Sequence, residues 1–137
     1  MKAKIRIFIN FLVFLTIAFP FVSCKKVSHN GDLDGNWRIV SIENIEDGTK
    51  TKPHQLFIAF QLHVVRLSPN GVAGNLHYNK EDSLVSIDFP YQKDEKGKIL
   101  LSQYGIKSNP VTFKIEKVSS KQLIIRSSET IMNCEKF

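Results

Sequence analysis

At 137 residues the chain has room for one hydrophobic core and no second domain. Its formal charge of +6 includes Lys2, Lys4 and Arg6; without them 16 Lys and Arg stand against 13 Asp and Glu, a net of +3. With no Lys/Arg run beyond Lys25-Lys26, so small a surplus argues against nucleic acid as a partner.

Met1 to Arg6 carries positive charge without an acid, and Ile7 to Phe19 is apolar apart from Asn10 and Thr16. A basic n-region followed by an apolar h-region is the pattern of a secretory signal. The apolar run of about 13 residues falls short of the roughly 20 that span a bilayer as a helix, so a permanent transmembrane helix is not expected. It leads into Phe21-Val22-Ser23-Cys24, which resembles the lipobox of bacterial lipoproteins, with Phe21 in place of the usual leucine. The resemblance implies cleavage before Cys24, a diacylglycerol on its sulfur and an acylated new amino terminus. Two or three acyl chains hold a protein on a membrane where one does not.

Residues 1–23 are then a signal peptide, 24–32 a flexible polar tether and 33–137 the domain. An ordinary secretory signal ending in a chance cysteine is the alternative. Lys25, rather than Asp, follows Cys24, and the tether has no acidic run. By the same resemblance these imply an outer-membrane position facing the periplasm, with the membrane as partner through the N-terminal lipid. The other cysteine, Cys134, is left without an intramolecular partner and reads as a small apolar core residue.

From Leu33 onward, turn signals separate short runs rich in β-branched and aromatic residues, the pattern of an all-β meander. Strands are expected at 35–45, 55–68, 72–79, 83–89, 110–117, 121–127 and 130–136. The segment 98–105 is either an eighth strand or, the reading favoured here, a short helix ended by Gly105 in the left-handed cap position. Ile99, Leu100, Gln103 and Tyr104 would form its inner face. Antiparallel strands with one apolar face close into a barrel or pack as a sandwich.

Ser68-Pro69-Asn70-Gly71-Val72 suits a three-residue hairpin loop, with Pro69 opening the turn and Gly71 at positive φ. That register pairs Ser68 with Val72, Arg66 with Gly74, Val64 with Leu76, Leu62 with Tyr78 and His63 with His77. It places Leu56, Ile58, Phe60, Leu62 and Val64 on the inner face. Val85, Ile87 and Phe89, like Val111, Phe113 and Ile115, alternate with polar residues in the same way, apart from Leu84.

The domain opens Asp34-Gly35-Asn36-Trp37-Arg38-Ile39-Val40. Gly-x-Trp at the entry to a first strand resembles the lipocalin signature, with Gly35 permitting a close backbone approach and Trp37 plugging one end of the barrel. Together with the lipobox, the short tether and about eight strand-like segments, the chain resembles small lipocalin-like lipoproteins of Gram-negative bacteria. That implies a lipocalin-like up-and-down barrel of about eight strands with one short helix. The cation that stacks on the tryptophan in lipocalins would be Arg126 or Lys136.

No G-x-S-x-G, H-E-x-x-H, P-loop or Cys/His ligand spacing occurs, and the carboxylates are scattered, so neither catalysis nor a cofactor is expected. His63 and His77 form a weak candidate metal pair without a third ligand. Tyr91 and Tyr104 flank the loop and helix where a flap over the barrel mouth would sit, and read as pocket-rim residues. The first functional expectation is a small apolar or amphipathic ligand held in the barrel. The alternative is a protein- or glycan-binding or inhibitor module with a filled barrel, favoured by the bulk of Trp37, Phe60, Tyr78, Phe89 and Phe113.

Overall fold

The computed structural model describes residues 2–6 and 28–137. The expected signal sequence beyond Arg6, and Cys24 with the residues that resemble a lipobox, lie outside the described residues. A 3-10 turn, Gly31–Leu33, leads into nine strands: β1 Gly35–Asn44, β2 Lys50–Thr51, β3 Phe57–Gln61, β4 Val64–Ser68, β5 Val72–Asn79, β6 Leu84–Asp88, β7 Val111–Val118, β8 Gln122–Arg126 and β9 Thr130–Lys136. One helix, α1 (Glu95–Gln103), lies between β6 and β7. Every pairing is antiparallel, and β9 returns to β1 from Trp37↔Lys136 to Asn44↔Thr130, closing an eight-stranded barrel. The two-residue β2 lies against β1 as an added strand.

Closure removes the exposed edges that an open sheet would present. Side chains alternate as a half-buried strand requires: Val85 and Ile87 of β6 and Val111, Phe113 and Ile115 of β7 are buried, whereas Thr112, Lys114 and Glu116 face out.

The stretch 55–68 corrects the sequence expectation. It is two strands, not one, reversed by a two-residue turn at Leu62-His63 in which Leu62 takes φ +54°. Ile58 and Phe60 point inward before the turn; Val65 and Leu67, of opposite parity, point inward after it. Pairing Gln61 with Val64 brings all four to one face, Ile58↔Leu67 and Phe60↔Val65. The change of parity also moves the next hairpin. Leu67 pairs with Val72, Arg66 with Ala73, Val65 with Gly74 and Val64 with Asn75, across a four-residue loop containing a cis Ser68-Pro69 bond. Gly71 does carry the expected positive φ, +70°. Leu62 and Val64, expected inside, are 55% and 45% exposed.

Helix α1 starts one turn earlier than expected because Asp94 caps it, its carboxylate accepting the Gly97 N–H at 2.8 Å. It stops at Gly105, φ +77°, where Gly105 N–H donates to Ser102 O and Ile106 N–H to Leu101 O, both at 3.0 Å. This is the paired closure that a left-handed residue permits. The inner face is Gly97, Leu101 and Tyr104, at i, i+4 and i+7; Ile99, assigned to it from sequence, is 63% exposed.

The strand directions define two barrel ends. The tether end carries the Gly31–Leu33 turn, the Leu62-His63 turn and Lys136-Phe137. The helix end carries the Ser68–Gly71 loop, α1 and the turn before Thr130.

Candidate functional site

At the tether end the Gly-x-Trp signature acquires a mechanism. Trp37 is fully buried, and its indole N–H donates to Leu33 O at 2.9 Å, so the 3-10 turn satisfies the one polar atom of the plug. Lys136, rather than Arg126, provides the cation: its Nζ lies 4.2 Å from the Trp37 ring centroid. The same ammonium donates to the carbonyls of Asp32 and Asp34, while Arg126 pairs with Glu116 on the barrel exterior. Partial burial pulls the Lys136 pKa below the ordinary lysine value, against the opposing pull of Asp32 and Asp34. Gly35 sits at φ +132°, and a Cβ there would meet Lys136 Nζ at 2.5 Å. Glycine is needed for the backbone, and a Cβ would push the Lys136 ammonium from its place on the ring.

Between the ends the barrel axis is filled. Trp37, Phe60, Phe89, Phe113 and Tyr104 are each at most 1% exposed, with Ile58, Leu67, Ile87, Leu101 and Ile106 around them. Tyr78, the other large residue assigned to the interior from sequence, is only partly buried. Gly74 belongs to the inward row of β5, and a Cβ there would lie 2.7 Å from the Phe89 ring, so its missing side chain is the space that Phe89 occupies.

The helix end is closed from above. Tyr104 is fully buried beneath α1 and donates its hydroxyl to Asn70 Oδ1 at 2.6 Å; burial raises its pKa. It is therefore a plug and not a rim residue. Asn109 clasps the two limbs of the insertion: its Oδ1 accepts the Phe89 N–H at 2.9 Å, and its Nδ2 donates to the carbonyls of Phe89 at 2.9 Å and Gln92 at 3.2 Å. Thr130 Oγ1 bonds Gly105 O at 2.6 Å, tying the helix end to β9. The space left between α1 and residues 106–109 is about 80 Å³, enough for a few waters and too small for a drug-sized molecule.

Tyr91, the other expected rim residue, is 89% exposed. It borders an open cleft of about 500 Å³ on the outside of the barrel, with Val64, Asn70, Val72, Gly74 and Pro90. A second open cleft, about 510 Å³, lies at the tether end between His29, Gly35, Ala59, Phe60 and Leu62.

His63 does not face His77, because the corrected register sets His63 beside Leu76, whose N–H bonds His63 O at 2.8 Å. The ring that meets His63 is His29, edge-on at 4.9 Å. Among the described residues no group of three metal-ligating side chains occurs. Cys134 is buried in β9 between Ile39 and Leu123, and loss of solvation pushes its thiol up to about 12. A thiol held so far from ionisation is a packing residue rather than a nucleophile.

Sequence reasoning missed Asn30, which is buried and donates to Asp34 Oδ1 at 2.6 Å and to Leu62 O at 2.9 Å. It pins the second half of the expected flexible tether to the barrel. Asn30-Gly31-Asp32 before the Gly-x-Trp strand is a turn signal that would have found it.

A family model described as a lipocalin-like domain matches residues 18–137. A lipocalin-like protein from Bacteroides uniformis is 25% identical, with a TM-score of 0.61 over 78% of this chain and 100% of its own. An uncharacterized protein from Bacteroides eggerthii shares the fold at 17% identity, with a TM-score of 0.56 over 77% of this chain and 99% of its own. No curated protein matches the sequence. With a closed eight-stranded barrel, Gly35-x-Trp37 and its stacked Lys136, the chain belongs to the lipocalin-like domain family.

Proposed function

We propose that this chain is a non-enzymatic binding module of the cell envelope, lipidated at Cys24 and held on the outer membrane facing the periplasm. Its barrel is a filled scaffold that meets a protein or glycan at the outer surface. The supporting observation is the packed axis: Phe60, Phe89 and Phe113 are buried in the barrel between the Trp37 and Tyr104 plugs. Barrels that carry a small molecule leave room for it inside. Tyr91, exposed beside the cleft at the helix end, has the amphipathic ring that interface hot spots and sugar-stacking surfaces use.

A second reading, a small apolar or amphipathic ligand inside the barrel, draws on family membership and on the placement of α1. The helix is an insertion outside the strand ladder, so lifting it would open the barrel without parting β6 from β7.

Native mass spectrometry of the mature protein purified from its host separates the two. The filled-scaffold reading expects the acylated chain alone; a retained small molecule would establish the second. Cys24→Ala should release the protein from membranes or leave it unprocessed. Normal processing with full membrane retention would refute the lipid anchor.

A further inference from the structure

Leu62 is explained neither by its backbone nor by the core. It occupies the first position of a two-residue turn at φ +54°, a conformation that glycine, asparagine and aspartate adopt readily and leucine does not. Its side chain is 55% exposed at the tip of the tether end, and Val64, two residues on, is 45% exposed on the same hairpin. Behind them the outer face of the hairpin is mixed, Gln61 and Arg66 alternating with Ala59 and with Phe57, on which Phe137 packs edge-on at 4.9 Å, so the exposed apolar surface is concentrated at the turn. A strained, solvent-facing leucine is an outlier that calls for a function.

The path of the chain says what covers it. Asn30 bonds the carbonyl of Leu62 itself, and His29 packs on His63, so the polypeptide is fastened to this turn by residue 29 or 30. From Cys24 to Ser28 the chain spans four residues, a reach of at most about 14 Å. Once Cys24 is acylated in a bilayer, no other end of the barrel lies as close to the lipid.

We propose that the tether end of the barrel rests on the membrane that carries the anchor, with Leu62 seated at the boundary between headgroups and acyl chains. The proposal rests on acylation of Cys24. It points the helix end, with Tyr91, away from the membrane.

The test uses the full acylated protein in phosphatidylethanolamine and phosphatidylglycerol vesicles. With Cys24 acylated and Cys134 buried, one introduced cysteine can be labelled selectively. A fluorophore on Gln61→Cys, beside the turn, should be quenched by brominated lipid chains severalfold more than one on Ser128→Cys at the helix end. Adding Leu62→Asn to Gln61→Cys should raise the thermal midpoint, since asparagine accepts the turn conformation, and yet lower the quenching toward the Ser128→Cys level.

Equal quenching at the two sites would overturn the proposal, as would quenching that Leu62→Asn leaves unchanged. The anchor itself is read separately: protein washed from the vesicles before any labelling measurement refutes acylation, and this docking with it. A turn covered by a partner protein or a second copy would show no lipid quenching at either site.

Discussion

The two ends of the barrel are closed by different physics. At the tether end, residues 33, 35, 37 and 136 build the plug from opposite termini of the domain, and one lysine stacks on the tryptophan while holding two backbone carbonyls. Opening it means parting β1 from β9, the pairing that closes the barrel. At the helix end the closure is an insertion, fastened by Tyr104 to Asn70, by Asn109 across its limbs and by Thr130 to Gly105. Opening it breaks side-chain hydrogen bonds and uncovers Leu101 and Ile106, while every strand pair survives. One end is part of the barrel, and the other is set upon it.

The largest expected effect tests the integral end. Trp37→Ala removes the plug and should cost about 3–5 kcal/mol in urea unfolding, with loss of the cooperative transition if β1 and β9 part. Cys134, in the wall near that end, gives an alkaline signature. Burial holds its folded pKa at about 12, above the ordinary thiol value of 9.0, so the native state favours the neutral thiol. Stability is fully present below pH 9 and is lost as pH rises toward 12, by at most about 4 kcal/mol. Cys134→Ala should flatten that part of the alkaline limb.

At the helix end, Leu101→Ala should cost about 3 kcal/mol and raise the binding of a hydrophobic dye, because the insertion loosens over an intact barrel. Unchanged dye binding would make the two ends equivalent. Tyr104→Phe, which removes only the hydroxyl bonded to Asn70, should cost about 1 kcal/mol by thermal denaturation.

The all-β barrel, the short helix, Gly105 as its stop and the Gly35-Trp37 signature are legible in the sequence because each is written locally, in alternation, in one glycine or in a three-residue motif. The Leu62-His63 turn is not. It contains neither Gly, Pro, Asn nor Asp, and the apolar residues on both sides read as one strand. The mistake propagated, because one missed reversal changes the parity of everything paired to it. Read as one strand, the segment sets His63 against His77 and turns Leu62 and Val64 toward the core. The cation on Trp37 was undecidable for another reason: Arg126 and Lys136 are both basic, and only the β1–β9 register places Lys136 opposite Trp37.

That pairing also imposes an order in time. Arg38 and Glu135 form an ion pair across a sequence separation of 97 residues, and Lys136 reaches back to Asp32 and Asp34 across still longer ones. The first strand therefore has no closing partner until almost the whole domain has been synthesised. A chain that emerges from its amino terminus must keep Trp37 waiting, unplugged and apolar, while six hairpins form behind it. Closure is a single late event rather than a progressive one, as expected of folds dominated by distant contacts.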